Sequence, residues 1–279
     1  MIKKKVIDLF IPNILIIILE KIRNFLILNF FKVNPIILKN KTLRSKKKNK
    51  RAFLIATGPS LKNVNLKLLK NQDCFTLSNA FLLNDINVIK PILHFFAPHH
   101  KPITIKSFFN WLKESDKKLP RSTSIVMSYD DISFIKKKLF KGRDIYYLLY
   151  SKYLTKFHSN IIKPLPKFQT GSLIILPVLL SMGYKEIYLL GCDHNQLKNY
   201  KDTISNFYSE KNDVRITIKK TKLNEHFLNL EKELYANIEV HKQYKKFKLI
   251  AETNKVKIIN LSANSWLNIF PKKKLKEII

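Results

Sequence analysis

The chain has 279 residues, 46% of them hydrophobic, and carries a formal net charge of +32. That length supports one large domain with an appendage, the apolar content a substantial core, and the charge attraction to polyanions such as nucleic acid, anionic lipid or phosphorylated substrates. No recognition-helix pattern, zinc spacing or interleaved aromatic signature accompanies the charge, so nucleic acid is not the expected partner. The two cysteines, Cys74 and Cys192, form no disulfide framework and fit no metal spacing. They read as buried free thiols in a reducing cytoplasm.

Residues 1–50 differ in character from the rest. Met1-Ile2-Lys3-Lys4-Lys5 precedes the apolar run Leu9 to Leu19, then Glu20, Lys21 and Arg23, then Phe25 to Phe31. A spanning helix needs about 20 uninterrupted apolar residues, and neither run reaches that. No small-residue cleavage site follows the basic start, which argues against a secretory signal. Apolar stretches broken by Lys and Arg fit an amphipathic basic leader lying on an anionic membrane. The tract Lys39 to Arg51 holds eight basic residues and no acidic one, and would add attraction to lipid head groups. The alternative is a helical hairpin packed on the domain itself.

Arg51-Ala52-Phe53-Leu54-Ile55-Ala56-Thr57-Gly58-Pro59-Ser60-Leu61 then reads as a buried strand closed by a tight turn. In open α/β sheets ligands bind just past the carboxyl ends of strands, and a small-residue loop there lets backbone amides approach a phosphate. A plain strand-to-helix turn gives the same sequence without a ligand. The segment Leu61–Leu69 reads as a short amphipathic helix, Cys74–Asn79, Ile92–Ala97 and Thr123–Ser128 as strands, and Ile103–Leu119 as a helix. Residues 130–167 are rich in Lys and aromatics without a clean period, and read as helix and irregular connection. The strongest unit follows: Phe168-Gln169-Thr170-Gly171-Ser172, an apolar helix from Leu173 to Met182 with Pro177 inside it, Gly183 as C-cap, the strand Lys185–Leu190, and the polar exit Gly191-Cys192-Asp193-His194-Asn195. Thr170 or Ser172 can cap that helix, where free amides and the dipole also favour an anion. Residues 198–222 read as a polar, basic loop with the character of a lid. Lys222 to Glu252 reads as helix, with Leu223, Phe227, Leu230, Leu234, Ile238 and His241 at helical spacing, and Val256–Asn260 as the last strand. The expected architecture is α/β, a Rossmann-like parallel sheet flanked by helices: leader 1–50, domain 51–271 and a basic tail 272–279.

In their order, Ala56-Thr57-Gly58-Pro59-Ser60-Leu61, Ser78-Asn79, Gln169-Thr170-Gly171-Ser172, Met182 to Asp193, Ile259-Asn260 and Asn264-Ser265 resemble glycosyltransferase family 42. These are bacterial sialyltransferases that modify surface glycans. The same order resembles an MptE-like group, after a 6-hydroxymethylpterin diphosphokinase, many of whose members serve surface polysaccharide synthesis. The resemblance spans residues 51–271 and is most specific from Met182 to Asp193. It implies a Rossmann-like domain using CMP-sialic acid without a metal. It implies that Thr57, Gly58, Pro59, Ser60 and Asn79 hold the nucleotide, and that Gln169, Thr170, Gly171 and Ser172 contact the donor. It further implies a histidine base, best placed at His241 with His226 second, and tyrosine assistance to the departing phosphate from Tyr200, beside Asn195. The chain has Ala97-Pro98-His99 where the family has Asn-Pro after the third strand, and Ala56-Thr57-Gly58 where it has Gly-Asn-Gly.

The residues themselves leave several assignments open. Histidine suits a base because it titrates near neutrality, and amides, hydroxyls and lysines suit a leaving phosphate. His241 on an apolar helical face is equally a structural histidine. His194, at a strand's carboxyl end, could orient phosphate or act as the base. Asp193 could bind a ribose hydroxyl, hold Mg²⁺ in a diphosphokinase, or cap the turn after it. His99 and His100 lack partners at metal spacing. The expected function is a nucleotide-sugar transferase of surface-glycan synthesis, needing no cofactor. It would be peripheral at the inner face of the cytoplasmic membrane, with a glycan or lipid-linked acceptor. The alternatives are an MptE-like pyrophosphokinase transferring diphosphate from ATP with Mg²⁺, which would want paired carboxylates near the phosphates, and a non-catalytic basic adaptor on membrane or polyanion.

Overall fold

A computed structural model describes residues 13–101, 103–135, 139–199, 206–209, 212–213, 230–262 and 264–279. In chain order it has helices α1 (Asn13–Asn29) and α2 (Pro35–Leu38), strands β1 (Arg51–Ile55) and β2 (Asp73–Leu77), and helix α3 (Ile86–Ile89). Strand β3 (Leu93–Phe95), helix α4 (Ile105–Lys118), strand β4 (Ser124–Ser128), helix α5 (Ile132–Ile135) and strands β5 (Ile145–Leu148), β6 (Tyr150–Ser151) and β7 (Leu165–Pro166) follow. Helix α6 (Gly171–Met182), strand β8 (Glu186–Leu190), helix α7 (Leu230–Thr253) and strand β9 (Lys257–Asn260) complete it.

Seven strands form one parallel sheet in the order β5-β4-β3-β2-β1-β8-β9, and β6 pairs with β7 apart from it. The fold is thus α/β, as the alternation of strands and helices predicts. Both sheet faces are covered, so successive residues of a strand enter different cores. In β1, Ala52 and Leu54 pack under α6 and α7, whereas Phe53 and Ile55 pack under α4 and the turns around it. The order reverses between β1 and β8: β2 leaves β1 on one side and β8 enters on the other. In open α/β sheets such a switch point, past the carboxyl ends of the strands, is where a ligand crevice is expected.

Several local expectations meet their physical outcome here. Gly183 ends α6 at φ 83°, donating to the carbonyls of Leu179 and Leu180, as a left-handed C-cap should. Leu61–Leu69 is not one helix but two 3₁₀ turns, Pro59–Asn63 and Leu66–Leu69. The Asn65 side chain accepts from the Lys67 amide and starts a new turn there. Residues 130–167 contain a strand that periodicity did not show, β5 at the sheet edge, paired with β4 from Ile125↔Ile145 to Ser128↔Leu148. In α7 the buried stripe is Val240, Tyr244, Phe247 and Ala251, while Leu230, Leu234 and Ile238 are exposed. The helix is longer than the sheet beneath it, and only its C-terminal half meets the core.

The segment after α1 is built into the domain. Ile37 and Leu43 are fully buried, and the Asn40 side chain donates to the carbonyls of Tyr147 and Ile161. Part of the basic tract has internal partners: Lys39 and Lys46 both pair with Asp144, and Lys47 donates to the Gly183 carbonyl. These three cations therefore have partners within the fold as well. The Asp73 carboxylate accepts from the Lys48 and Asn49 amides and the Tyr184 hydroxyl. Residues 272–279 also dock, with Leu275 buried and the Ile278 carbonyl accepting from Arg51.

Arg143 holds the β4–β5 edge. Its side chain is wholly buried, its Nε lies 2.9 Å from Asp116 Oδ1, and its other nitrogens donate to the carbonyls of Asp116, Leu119, Pro120 and Thr123. It thereby caps the C-terminus of α4, where carbonyls lack partners and a cation is favoured. Arg143→Met would strand those carbonyls and take from Asp116 its buried cation, leaving it the Phe140 amide and the exposed Arg121. It should cost about 3–5 kcal/mol, read as a lower urea midpoint at unchanged m-value.

Candidate functional site

The crevice floor is an interlock of two strand exits. After β1, the Ala56 amide donates to Leu190 O and the Gly58 amide to Gly191 O at 2.9 Å. The Ser60 amide, in the first turn after Gly58, donates to Asp193 Oδ2 at 2.8 Å. A carboxylate at the start of a helical turn satisfies an orphan amide. Asp193 therefore caps the Gly-Pro-Ser turn across the crevice rather than the turn that follows it. A Cβ on Gly58 would lie 2.4 Å from Asp193 Oδ2 and 2.5 Å from the Gly191 carbonyl. Glycine is required here by close approach. Asp193 Oδ1 and Ser60 Oγ are buried without a partner among the described residues, whereas Thr57, Gly58 and Pro59 are partly exposed.

The far side of the β8 exit is held as firmly. The Cys192 amide donates to Ser262 Oγ, Ser265 Oγ donates to the Cys192 carbonyl, and the Trp266 amide donates to the Asp193 carbonyl at 2.8 Å. Burial pushes the Cys192 thiol up to about 12, with Asp193 adding to it, so this sulfur is no nucleophile at neutral pH. Both cysteines are free and buried.

Helix α6 points its N-terminus at the same crevice. Thr170 sits at the N-cap position but makes no side-chain capping bond. The Ser172 hydroxyl does not cap either: it meets the Tyr244 hydroxyl at 2.6 Å, which in turn lies 2.9 Å from His194 Nε2. Tyr244 thus joins α7, α6 and the β8 exit. The sequence reading missed it because a tyrosine at helical spacing looks like core, and no local signal marks it. His194 adopts φ 48° and is nearly buried. Burial pushes its pKa down to about 4, with the nearby His241 charge adding to the effect. At neutral pH it is an uncharged imidazole.

His241, one turn before Tyr244 on α7, is partly exposed. Its Nδ1 lies 2.9 Å from the Asn237 carbonyl, and its Nε2 3.5 Å from the Trp266 carbonyl. Both partners are carbonyls, which only accept, and the shorter contact places the proton of a singly protonated ring on Nδ1. Trp266 itself is 44% exposed beside it, an aromatic face that the sequence reading did not single out.

The remaining candidates fall around this centre. Asn79 is fully buried after β2, its Oδ1 accepting from Trp111 and its Nδ2 without a partner. The Gln169 amide donates to Gln243 Oε1, tying the loop before α6 to α7. Gly171 packs so tightly that a Cβ would lie 2.8 Å from Leu77 Cδ1. Asn195 is partly exposed at the end of the β8 exit. Tyr200 and His226 lie outside the described residues, as does most of the 198–222 loop; within it the Phe207 amide donates to the Thr57 carbonyl. His99 binds the Ile103 carbonyl through Nε2, and the described residues contain no group of three or more His, Cys, Asp or Glu able to hold a metal.

No family model and no curated protein matches the chain. Among solved structures it is similar to the sialyltransferase CstII from Campylobacter jejuni in complex with the substrate analogue CMP-3FNeuAc. That match has 17% identity over 80% of this chain and 86% of that one, with TM-score 0.43. A CST-II variant in complex with CMP matches at 21% identity, over 79% and 85% of the two chains, with TM-score 0.46. An alpha-2,3-sialyltransferase from Campylobacter jejuni in apo form matches at 19% identity, over 80% of each chain, with TM-score 0.42.

Gly58→Ala should lower stability by about 1–3 kcal/mol, seen as an earlier thermal transition, while Ser60→Ala, which leaves the amide bond to Asp193 intact, should shift it far less. The histidines set a pH dependence. Unfolded histidine titrates near 6.5, but His194 stays neutral down to about 4 and the fully buried His94 down to about 3. Between those values the unfolded chain binds more protons, so stability falls as pH drops below 6.5. Urea midpoints taken from pH 7 to pH 4 should decline, and His194→Asn, which tolerates the positive φ, should make the decline shallower.

Proposed function

We propose that the chain is a glycosyltransferase that takes a nucleotide-activated sugar, with a CMP-linked, sialic-acid-like donor as the specific form. One observation carries this reading: the Gly58 turn, the start of α6 and the His241 imidazole gather around the β8 exit, through Asp193, the Ser172–Tyr244–His194 contacts and Trp266. Amides and a helix dipole suit the phosphate of a nucleotide. An oriented neutral imidazole suits the proton of an acceptor hydroxyl.

In the proposed reaction the acceptor oxygen bonds to the anomeric carbon as the carbon–oxygen bond to the phosphate breaks. The nucleoside phosphate leaves with the electron pair, and the acceptor proton passes to His241 Nε2. The new N–H then faces the Trp266 carbonyl, which stabilises the imidazolium. Gly171 and Ser172 amides receive the charge that develops on the leaving phosphate. His194 serves to position Tyr244 and the helix start. With its pKa pulled down to about 4, it is too weak a base to share the work near neutrality. The acceptor would be a glycan, free or carried on lipid, as in surface-polysaccharide or lipooligosaccharide synthesis.

The test is a thermal-shift series on the full chain, because Ile37 and Leu43 are core residues that a leader truncation would remove. CMP, CDP, UDP, GDP, CMP-sialic acid and ATP are each added with and without Mg²⁺; a ligand of the native state stabilises by mass action. Stabilisation by CMP or CMP-sialic acid without metal is expected. Stabilisation by ATP only with Mg²⁺ would replace the transferase with a diphosphokinase, and no response to any nucleotide would leave a basic adaptor. In a transfer assay His241→Ala should lower kcat by about 10²–10⁴-fold while leaving the CMP-induced shift in place.

A further inference from the structure

Helix α1 is built inside out. Asn24 is its buried residue and faces the protein, with Nδ2 donating to Thr155 Oγ1 at 2.9 Å and Oδ1 accepting from the Thr155 amide at 3.0 Å. Glu20 and Arg23, on the same face, pair with each other at 3.6 Å. The opposite face is mainly apolar: Ile14, Leu15, Ile18, Ile22, Phe25 and Leu26 are 43–64% exposed, with exposed Lys21 at its margin and Asn29 at its end. At these spacings they form one continuous stripe. A water-facing helix has the reverse pattern, and a large exposed apolar patch marks an interaction surface. The 17-residue helix is about 25 Å long, and no helix among the described residues is long and apolar enough to cross a membrane.

The position of α1 matters as much as its polarity. Thr155 lies in the loop after β6, and just beyond α1 the Asn34 side chain donates to the hydroxyl of Tyr129, at the carboxyl end of β4. The helix therefore flanks the end of the sheet that carries Gly58, Asp193 and the start of α6. The Thr155 loop presents exposed Lys152, Tyr153 and Lys156 beside it. Lysine and tyrosine around an apolar helix suit a lipid head-group zone. A second copy is the poorer occupant: it would bring another chain of net charge +32 against these lysines.

We infer that α1 lies in the head-group region of an anionic bilayer and turns the carboxyl end of the sheet, with its crevice, toward the lipid. The bilayer contact stands independently of the transferase reading. What rests on that reading is the acceptor class it selects, a glycan carried on lipid.

Vesicle sedimentation of the full chain tests the contact, with phosphatidylcholine containing phosphatidylglycerol against phosphatidylcholine alone. Preferential binding to the anionic vesicles is expected. The triple variant Leu15→Glu, Ile18→Glu, Ile22→Glu should weaken that binding by at least about tenfold. Leu249→Glu, a control at an exposed apolar residue of α7, should bind as the unaltered chain does. Orientation is read with nitroxide labels on Tyr153→Cys and, at the amino end of β8, on Lys185→Cys, since Cys74 and Cys192 are buried. The first label should lie at head-group depth and the second in water. Failure to bind anionic vesicles, triple-variant binding equal to that of the unaltered chain, equal depth of the two labels, or a dimer that the triple variant dissociates would each overturn the inference. Because the readout is lipid contact and label depth, its failure is distinct from failure of the nucleotide test.

Discussion

The contact between Gly58 and the β8 exit is the constraint on which the candidate site depends. With no side chain at Gly58, the β1 exit lies directly on the Gly191 carbonyl and the Asp193 carboxylate. Asp193 can then reach the Ser60 amide and fix the turn. The same short segment, Gly191 to His194, is pinned from the β9 side by Ser262, Ser265 and Trp266. It is a wedge between two rigid neighbours. Everything placed by that wedge, including the His194 ring and through it Tyr244 and Ser172, inherits its position from a few backbone hydrogen bonds. It sits at the switch point of the sheet, the place where open α/β folds bind their ligands.

Burial separates the two histidines near the wedge. His194 is enclosed, neutral and bonded to a tyrosine whose own pKa is driven far up by burial. A chain of neutral groups of this kind orders its members and exchanges few protons with solvent. His241 differs in both respects: it reaches solvent, and the carbonyl of its own helix selects its tautomer. In the proposed reaction both point of attachment and exposure favour it over His194 for proton transfer. The Trp266 peptide connects the two roles, giving its amide to Asp193 and presenting its carbonyl to His241.

The strands that form the crevice were legible because each joins an uninterrupted apolar run to a turn residue: Phe53-Leu54-Ile55 with Gly58-Pro59, and Ile187 to Leu190 with Gly191. Gly183 was legible because a left-handed cap admits few other residues. What escaped the sequence did so for physical reasons. Strand β5 is Ile-Tyr-Tyr-Leu, buried on both faces at the edge of the sheet and covered by α2 and its continuation; such a run does not alternate and resembles a helix segment or loop as much as a strand. The capping roles were misassigned because capping is a competition. Ser172 has a stronger claim on its hydroxyl in Tyr244, and Asp193 finds its amide across the crevice, not along the chain. In α7, spacing alone pointed to the wrong stripe, because the sheet reaches only half of the helix.

The polarity of a parallel sheet ties the remaining features together. All seven strands run the same way, so their carboxyl ends share one edge of the molecule and their amino ends the other. The amino edge is closed by partners within the chain: Asp73 gathers the Lys48 and Asn49 amides, Arg51 pairs with Glu186, and Gly183 is capped by Lys47. The carboxyl edge is the open one, where the start of α6 without a side-chain cap, Asp193 Oδ1 and Ser60 Oγ without a partner among the described residues, and the half-exposed Trp266 lie. Helix α1 packs at this open edge with its polar face inward. Its apolar stripe is thus a property of the same end of the sheet as the crevice, and a surface that covers the stripe approaches the crevice as well. That coupling depends on Asn24 and Asn34, which fasten α1 and the residues just after it to the β4–β6 side, and on nothing in the chemistry of the candidate site itself.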